Sequence, residues 1–429
     1  MRPRTRWVRC AFGVLAAAVA LTAAANASAT TISSSALVTL YPGRDAAPNA
    51  WNAGFAGAGV GIAIIDSGVT AEPDFGSRLV QVRLPGQDGS LDDVVGHGTL
   101  VAAVAAGDSP DGSYIGVAPG ATIYALNVYR PGGVSSGDVI TALKWVFDNA
   151  HAYNIRVVNL SLSEATTSSY TQSELDLAVE RLWAEGVLVV VSAGNRGAVA
   201  GSVDYAPAND PLALTAGAFD DMGTSGPGDD TIATFSSSGK TTDGFDKPEL
   251  VAPGRHIASA LPAGTLLAAQ APAANVLGGG YASVSGTSFA APQLAGAAAI
   301  AFQTHPGYSP DQVKWLLLAK AAANPRGSKV KSLDLSAVYN YAGTPDRANK
   351  DVPALVCAPG STCLSGSTIA SKWNSATWNS ATWNSLTWNS ATWNATSWNV
   401  GDWDSATWNS LTWNSLTWNA TGWDAVVWD

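Results

Sequence analysis

Four polar residues are set apart by where the chain puts them: Asp66 at the end of VGIAIID, His97 at the start of GHGTLVAAVAAG, Asn195 closing GVLVVVSAGN, and Ser288 within VSGTSFAAP. A serine hydroxyl that attacks a carbonyl carbon needs an imidazole to take its proton and a carboxylate to hold that imidazole. It also needs hydrogen-bond donors for the oxyanion that forms. The four residues supply one of each. Ser288 is the candidate nucleophile, His97 the general base, Asp66 its orienting partner, and Asn195 a side-chain donor acting with the backbone N–H of Ser288. An alanine-rich, helix-forming run follows Ser288, which places the hydroxyl at a helix N-terminus, where aligned peptide dipoles favour developing negative charge. Pro292 suits such a start, because a missing N–H does little harm within the first turn. Taken singly, each residue has a plainer reading: Ser288 as a helix N-cap, Asp66 as a turn residue, His97 as loop filler between glycines, Asn195 as a left-handed turn residue. The argument for chemistry is that all four fall at strand ends or helix starts. His151, His256 and His305 lack such settings and read as structural or exposed.

The elements that must position these residues can be read from hydrophobic patterning. Between about Val60 and Ala342, apolar runs rich in β-branched residues alternate with helix-patterned segments. Strands are expected at VGIAIID, TIYALNVY (from Thr122), IRVVNLSLS (from Ile155), GVLVVVSAGN (from Gly186) and LALTAGAF (from Leu212). The runs are mostly continuous rather than alternating, as in strands buried on both faces of a parallel sheet. One intervening helix carries Val139, Ile140, Leu143, Val146 and Phe147 on an apolar face; a second opens at Ser173 and stops at Gly186; a third starts at Ser309-Pro310. The pattern predicts an α/β fold of three layers with a mainly parallel sheet. In such sheets ligands collect at the carboxyl ends of the strands, where Asp66 and Asn195 fall.

These motifs resemble the subtilisin-like serine peptidases. IIDSGV is similar to the family's Asp motif, GHGTLVAAVAAG to its His motif, SAGN (Ser192 to Asn195) to its oxyanion segment and SGTSFAAP to its Ser motif. The Asp, His, Ser order separates this family from chymotrypsin-like enzymes. The likeness runs from about Trp51 to Ala342 and includes YAPAND, FSSSG and ELVAPG. It implies a serine endopeptidase acting on extended polypeptides. The substrate would be held as an added strand against Leu160, Ser161, Leu162 and Ser163, with Ser192, Ala193, Gly194 and Asn195 walling the first pocket. Strand addition relies on main-chain hydrogen bonds, so broad specificity is expected. Two positions depart from the family pattern. Leu100 stands where a second histidine is common, which should be harmless, and Ser163 where glycine is common, which should alter the cleft. No cofactor is required. Calcium is frequent in the family, and a structural ion could use Asp220, Asp221, Asp229 and Asp230, although a solvated acidic loop is the simpler reading.

The rest of the 429-residue chain adds context. Residues 1–29 read as a secretory signal: Arg2, Arg4, Arg6 and Arg9 precede an apolar run and Ala-x-Ala sites. Without them 19 basic residues face 33 acidic ones, a formal charge of −14. Such a chain repels phosphate backbones, which argues against nucleic acid as a partner. No other stretch is long enough to span a bilayer, so a secreted, extracellular or surface-associated protein is expected. Residues 30–50 form a short leader, too short for a folded inhibitory pro-domain. Residues 51–342 form the catalytic domain and 343–372 a linker. Within that linker Cys357 and Cys363 form an even pair, most simply a disulfide in an oxidising setting and not a metal site.

From Trp373 to Trp428 tryptophan recurs every five residues, twelve times. A five-residue step turns a helix through about 500° and alternates faces in a strand, so neither yields a tryptophan stripe. A bend in every repeat would, which points to a square β-solenoid similar in period to pentapeptide-repeat folds. Exposed rings could stack on sugars, making a cell wall or polysaccharide a candidate partner. The rival to an enzyme is therefore an inactive surface- or glycan-binding protein using this tail. Retention of all four chemical residues argues against it.

Overall fold

The computed structural model describes residues 37–87, 90–130 and 133–356, with the backbone of 362 and 363. Residues 1–29, expected as a secretory signal, the Cys357 and Cys363 side chains and the tryptophan repeats 373–429 lie outside the described residues.

Seven parallel strands form the centre: β1 (Gly61–Asp66), β2 (Leu79–Val82), β3 (Thr122–Asn127), β4 (Ile155–Leu160), β5 (Leu188–Ser192), β6 (Leu214–Asp220) and β7 (Leu250–Pro253). Their spatial order is β7-β6-β5-β4-β1-β3-β2, and Thr231–Ile232 adds a short antiparallel piece on β6. Every residue of β1, β5 and β6 is buried, which accounts for the continuous apolar runs.

Side chains of a strand point alternately to opposite faces, and here each face has its own core. Ile62, Ile64, Ile123, Val157 and Val190 pack on one side with helices α1 (His97–Ala106) and α4 (Thr287–Thr304). Ile65, Leu126, Val158 and Val191 pack on the other with α2 (Ser136–Tyr153) and α3 (Glu174–Ala184). This is the three-layer α/β architecture expected from the sequence. Each fully buried isoleucine contributes about 1.5–3 kcal/mol relative to exposure, so the two-sided sheet gives a rigid base for its strand ends.

The helix signals also fall where expected. Ser173 accepts from the N–H of Asp176 to open α3, and Ser309 forms a reciprocal capping box with Gln312 at the start of α5 (Pro310–Lys320). The packed body is wider than 51–342. On the amino side Tyr41, Ala47 and Ala50 are buried, and the Trp51 indole donates to Val117 O at 2.9 Å. On the carboxyl side Ala354, Leu355 and Val356 are buried, and the Val356 N–H donates to Glu180 Oε2 at 2.9 Å. Residues up to 356, read as linker for their prolines, are therefore held on α3. An antiparallel sheet of β8 (Ile257–Ala260), β9 (Val276–Gly278) and β10 (Tyr281–Val284) leads directly into α4 and was not legible in the sequence.

Candidate active site

The last residue of β1 is Asp66, whose carboxylate is buried at the carboxyl end of the sheet. Its Oδ1 accepts from the Ser67 N–H at 2.7 Å and lies 2.8 Å from His97 Nδ1. A carboxylate can only accept, so Nδ1 carries the proton and Nε2 is the basic nitrogen of the neutral ring. His97 is the first residue of α1 and is fully buried.

Close approach of α1 to the loop after β1 makes this pair possible. A methyl group at Gly98 would lie 2.1 Å from Gly68 O and 3.1 Å from Asp66 Cβ, so only glycine fits between the two elements.

A carboxylate that sequence reading passed over ties the same two elements together. Asp93 Oδ1 accepts from Ser67 Oγ at 2.8 Å, Val95 N at 3.0 Å and Gly96 N at 2.7 Å. Its Oδ2 accepts from the Thr99 N–H at 2.9 Å and hydroxyl at 2.8 Å. Ser67 Oγ in turn accepts from the Gly98 N–H at 2.9 Å. Asp93 thus satisfies orphan N–H groups at the start of the His97 helix and grips the residue beside Asp66. In sequence only an acidic residue four places before His97 hints at this; the donors it serves converge only on folding.

Burial pushes the Asp93 carboxyl up to about 6, against hydrogen bonds from Gly96 and Thr99 that hold it down. The folded value lies above the unfolded value of about 3.9. Protonated Asp93 therefore favours the fold below pH 4, and that contribution is lost as pH rises through about 6. The ionised form, which can accept all five bonds, is the one that braces the Asp66–His97 pair. Asp93→Asn turns one acceptor into a donor facing N–H or O–H groups. It is expected to lower kcat more than it changes KM, and to remove a component near pH 6 from the acid limb of kcat/KM. Paired pH profiles check this, and superimposable wild-type and variant limbs would remove Asp93 from the pair's support.

Ser288 is the second residue of α4, whose N-cap is Gly286. It is joined to the end of β4: Ser161 Oγ donates to Ser288 O at 2.8 Å, and Ser288 Oγ lies 3.4 Å from Ser161 O. The next residue, Phe289, brings its ring centroid to 5.7 Å from that of His97, so the imidazole and the start of α4 share one small region. Asn195 reaches the same helix start. Its Oδ1 accepts from the Thr287 N–H at 2.9 Å and the Thr287 hydroxyl at 3.1 Å. A backbone N–H can only donate, so the amide's NH₂ end is directed away from Thr287. Gly194 adopts φ +95° and donates to Thr287 Oγ1 at 3.1 Å, a backbone turn that suits glycine.

The predicted strand-binding residues lie beside these groups. Leu160 ends β4 and Ser161, Leu162 and Ser163 follow it, while Ser192 ends β5 and Ala193 and Gly194 follow it, all buried at the same edge of the sheet. Leu100 is fully buried in the α1 core, and its carbonyl accepts from Ser259 Oγ at 2.7 Å. On the acidic loop, Arg44 pairs with Asp230 and Arg255 lies 3.4 Å from Asp220, while Thr224 Oγ1 donates to Asp229 at 2.9 Å. Among the described residues, no group of three or more histidines, cysteines or acidic residues has the arrangement to hold a metal ion.

With this geometry in place, comparison with known proteins decides the family. The subtilase family model matches residues 57–343. The chain belongs to the subtilase family. It is similar to serine protease AprX of Bacillus subtilis (strain 168), 34% identical over 274 residues, which are 61% of this chain and 61% of AprX. It is also similar to subtilisin Savinase of Lederbergia lenta, 35% identical over 269 residues, covering 62% of this chain and 85% of Savinase. Among solved structures, S41 psychrophilic protease matches with a TM-score of 0.53 at 30% identity, covering 68% of this chain and 91% of that one. A cold-adapted subtilisin-like serine proteinase matches with a TM-score of 0.50 at 30% identity, covering 65% and 90%. The subtilisin-like architecture is thus shared with these solved structures, and the matched subtilase region contains all four residues singled out for chemistry.

Proposed function

We propose that this subtilase is a secreted serine endopeptidase working through Asp66, His97 and Ser288 with an Asn195-assisted oxyanion hole. The observation that carries this reading is the buried Asp66–His97 hydrogen bond of 2.8 Å beside the helix that starts at Ser288. Ser288 Oγ adds to the substrate carbonyl carbon as its proton passes to His97 Nε2, and Asp66 stabilises the imidazolium through Nδ1. The oxyanion accepts from the Asn195 amide and the Ser288 N–H at the positive end of α4. Collapse breaks the C–N bond, and His97 gives its proton to the leaving amine. Water then cleaves the acyl-serine by the same route in reverse, restoring the free hydroxyl. None of these steps draws on a cofactor. A calcium ion on the acidic loop would have to displace Arg44 and Arg255 from Asp230 and Asp220.

An extended substrate would lie along residues 160–163 and 192–194, held by main-chain bonds that leave most positions tolerant of sequence. Purified full-length protein should hydrolyse denatured casein and lose that activity to a serine-directed phosphonate. Intact casein after prolonged incubation would instead support an inactive binding protein, a reading that retention of the whole catalytic set disfavours.

The tryptophan repeats are proposed as an anchor on cell wall or polysaccharide, because regularly spaced rings offer stacking faces to sugars. Truncation after Lys372 should leave casein hydrolysis in place and release the protein from isolated cell walls. Equal wall binding with and without the tail would dismiss the anchor.

A further inference from the structure

Among the described residues a cavity of about 520 Å³ lies at the end of α1 remote from His97. Three chain segments wall it: the loop after β1 with Glu72 and Asp74, the loop after α1 with Asp111 and Tyr114, and the turn joining β9 to β10 with Leu277 and Tyr281. A helix of ten residues is about 15 Å long, so the cavity is a different place from the proposed catalytic centre.

Its lining combines negative charge with aromatic and aliphatic surface. Tyr114 and Tyr281 stack with ring centroids 3.6 Å apart and planes 8° from parallel, and the Tyr281 hydroxyl donates to Asp74 Oδ1 at 2.8 Å and Oδ2 at 3.0 Å. The aromatic wall is therefore fixed against a buried carboxyl. Asp111 Oδ1 accepts from Ser109 Oγ at 2.7 Å and from the Ser113 N–H at 3.0 Å. Bonds from Ser113 and Ser109 hold the Asp111 carboxyl below its ordinary value, so it is ionised at neutral pH. Burial raises the Glu72 and Asp74 carboxyls instead, and Asp74 raises Glu72 further, as like charges do when crowded. Arg78, behind this wall, directs its guanidinium to the carbonyls of Asp74, Ala106 and Ala121 and is not part of the lining.

We propose that this cavity binds an ammonium or guanidinium group carried on an aliphatic stem, the chemistry shared by lysine and arginine side chains and by free polyamines. Carboxylates and tyrosine rings attract the cationic head, and Leu277, 42% exposed, gives the stem an apolar surface to lie on. A volume of this size suits a small organic molecule or one long side chain. A bare metal ion fits less well, since among the described residues no three acidic groups converge to hold one. The inference is independent of the endopeptidase reading and holds whether or not Ser288 is reactive.

Isothermal titration of purified full-length protein with cadaverine, Nα-acetyl-lysine amide and Nα-acetyl-norleucine amide tests this. A cation of this size should bind with a Kd of about 1 mM or tighter. The norleucine compound keeps the stem without the charge-assisted hydrogen bond and should bind at least about tenfold more weakly. Glu72→Gln and Asp111→Asn keep the shape of the wall and should each weaken the cations by about tenfold, with the difference narrowing in high salt. Asp148→Asn on α2, across the sheet, should leave them unchanged. Binding by the lysine compound supports the proposal with polypeptide side chains as the source, and binding by cadaverine alone supports it with free polyamines. No binding by either cation, equal binding of the norleucine compound, affinities unmoved in both Glu72→Gln and Asp111→Asn, or an equal loss in Asp148→Asn would overturn the assignment.

Discussion

Alanine at position 288 is expected to lower kcat/KM on casein or a peptide ester by about a million-fold, the scale on which loss of the nucleophile acts in a related subtilisin. In the proposed mechanism the hydroxyl is the only atom of this side chain that bonds to substrate carbon. The fold should tolerate the change. Ser288 Oγ contributes one long contact of 3.4 Å to Ser161 O, while Ser161 Oγ remains bonded to the residue 288 carbonyl. A neutral hydrogen bond is worth about 1 kcal/mol, so the melting temperature should move by no more than about 2–4 °C. Combining Ser288→Ala with His97→Ala should cost no more than either alone, because a base without a nucleophile has no proton to take. Progress curves and thermal melts on the three variants check this, and a double variant far slower than both singles would mean that the two residues act separately.

Gly98→Ala should damage both fold and chemistry. The added methyl would overlap Gly68 O at 2.1 Å and crowd Asp66 Oδ1 at 3.2 Å, so α1 and the loop after β1 must separate by about 1 Å to restore ordinary contact. Both neighbours are fixed: one is backbone, and the other is the carboxylate bonded to His97. Overpacking of this kind costs about 1–3 kcal/mol, and misplacing a catalytic group by about 1 Å can cost on the order of a hundredfold in rate. Urea unfolding should show a lower midpoint, and the folded fraction should show a reduced kcat. Native midpoint together with native rate would show that α1 does not need the close approach.

The sequence disclosed the frame of this molecule because its signals are local. Continuous apolar runs marked β1 and β5, Ser173 and Ser309 marked helix starts, and Asp66, Asn195 and Ser288 could be placed at element ends before any contact was known. What stayed hidden depends on contacts between distant residues. Asp93 looks like one of two ordinary aspartates until Ser67, Gly96 and Thr99 gather around it. Ser163 could be marked as unusual, but its approach to Arg196 required both strand ends in space. The prolines of residues 343–356 resemble a linker, yet Ala354, Leu355 and Val356 find apolar surface on α3, and burial overrides the local signal. Leu100 could be judged harmless from sequence, and it lies within an apolar core.

Reaction with a fluorophosphonate followed by mass-spectrometric mapping of the adduct tests the proposed catalytic centre most directly. A single phosphonylated residue is expected at Ser288 in the native chain, with labelling strongly slowed in His97→Ala. An active preparation that carries the adduct on another residue, or hydrolyses casein without forming one, would contradict the assignment of Ser288 as nucleophile and His97 as its base.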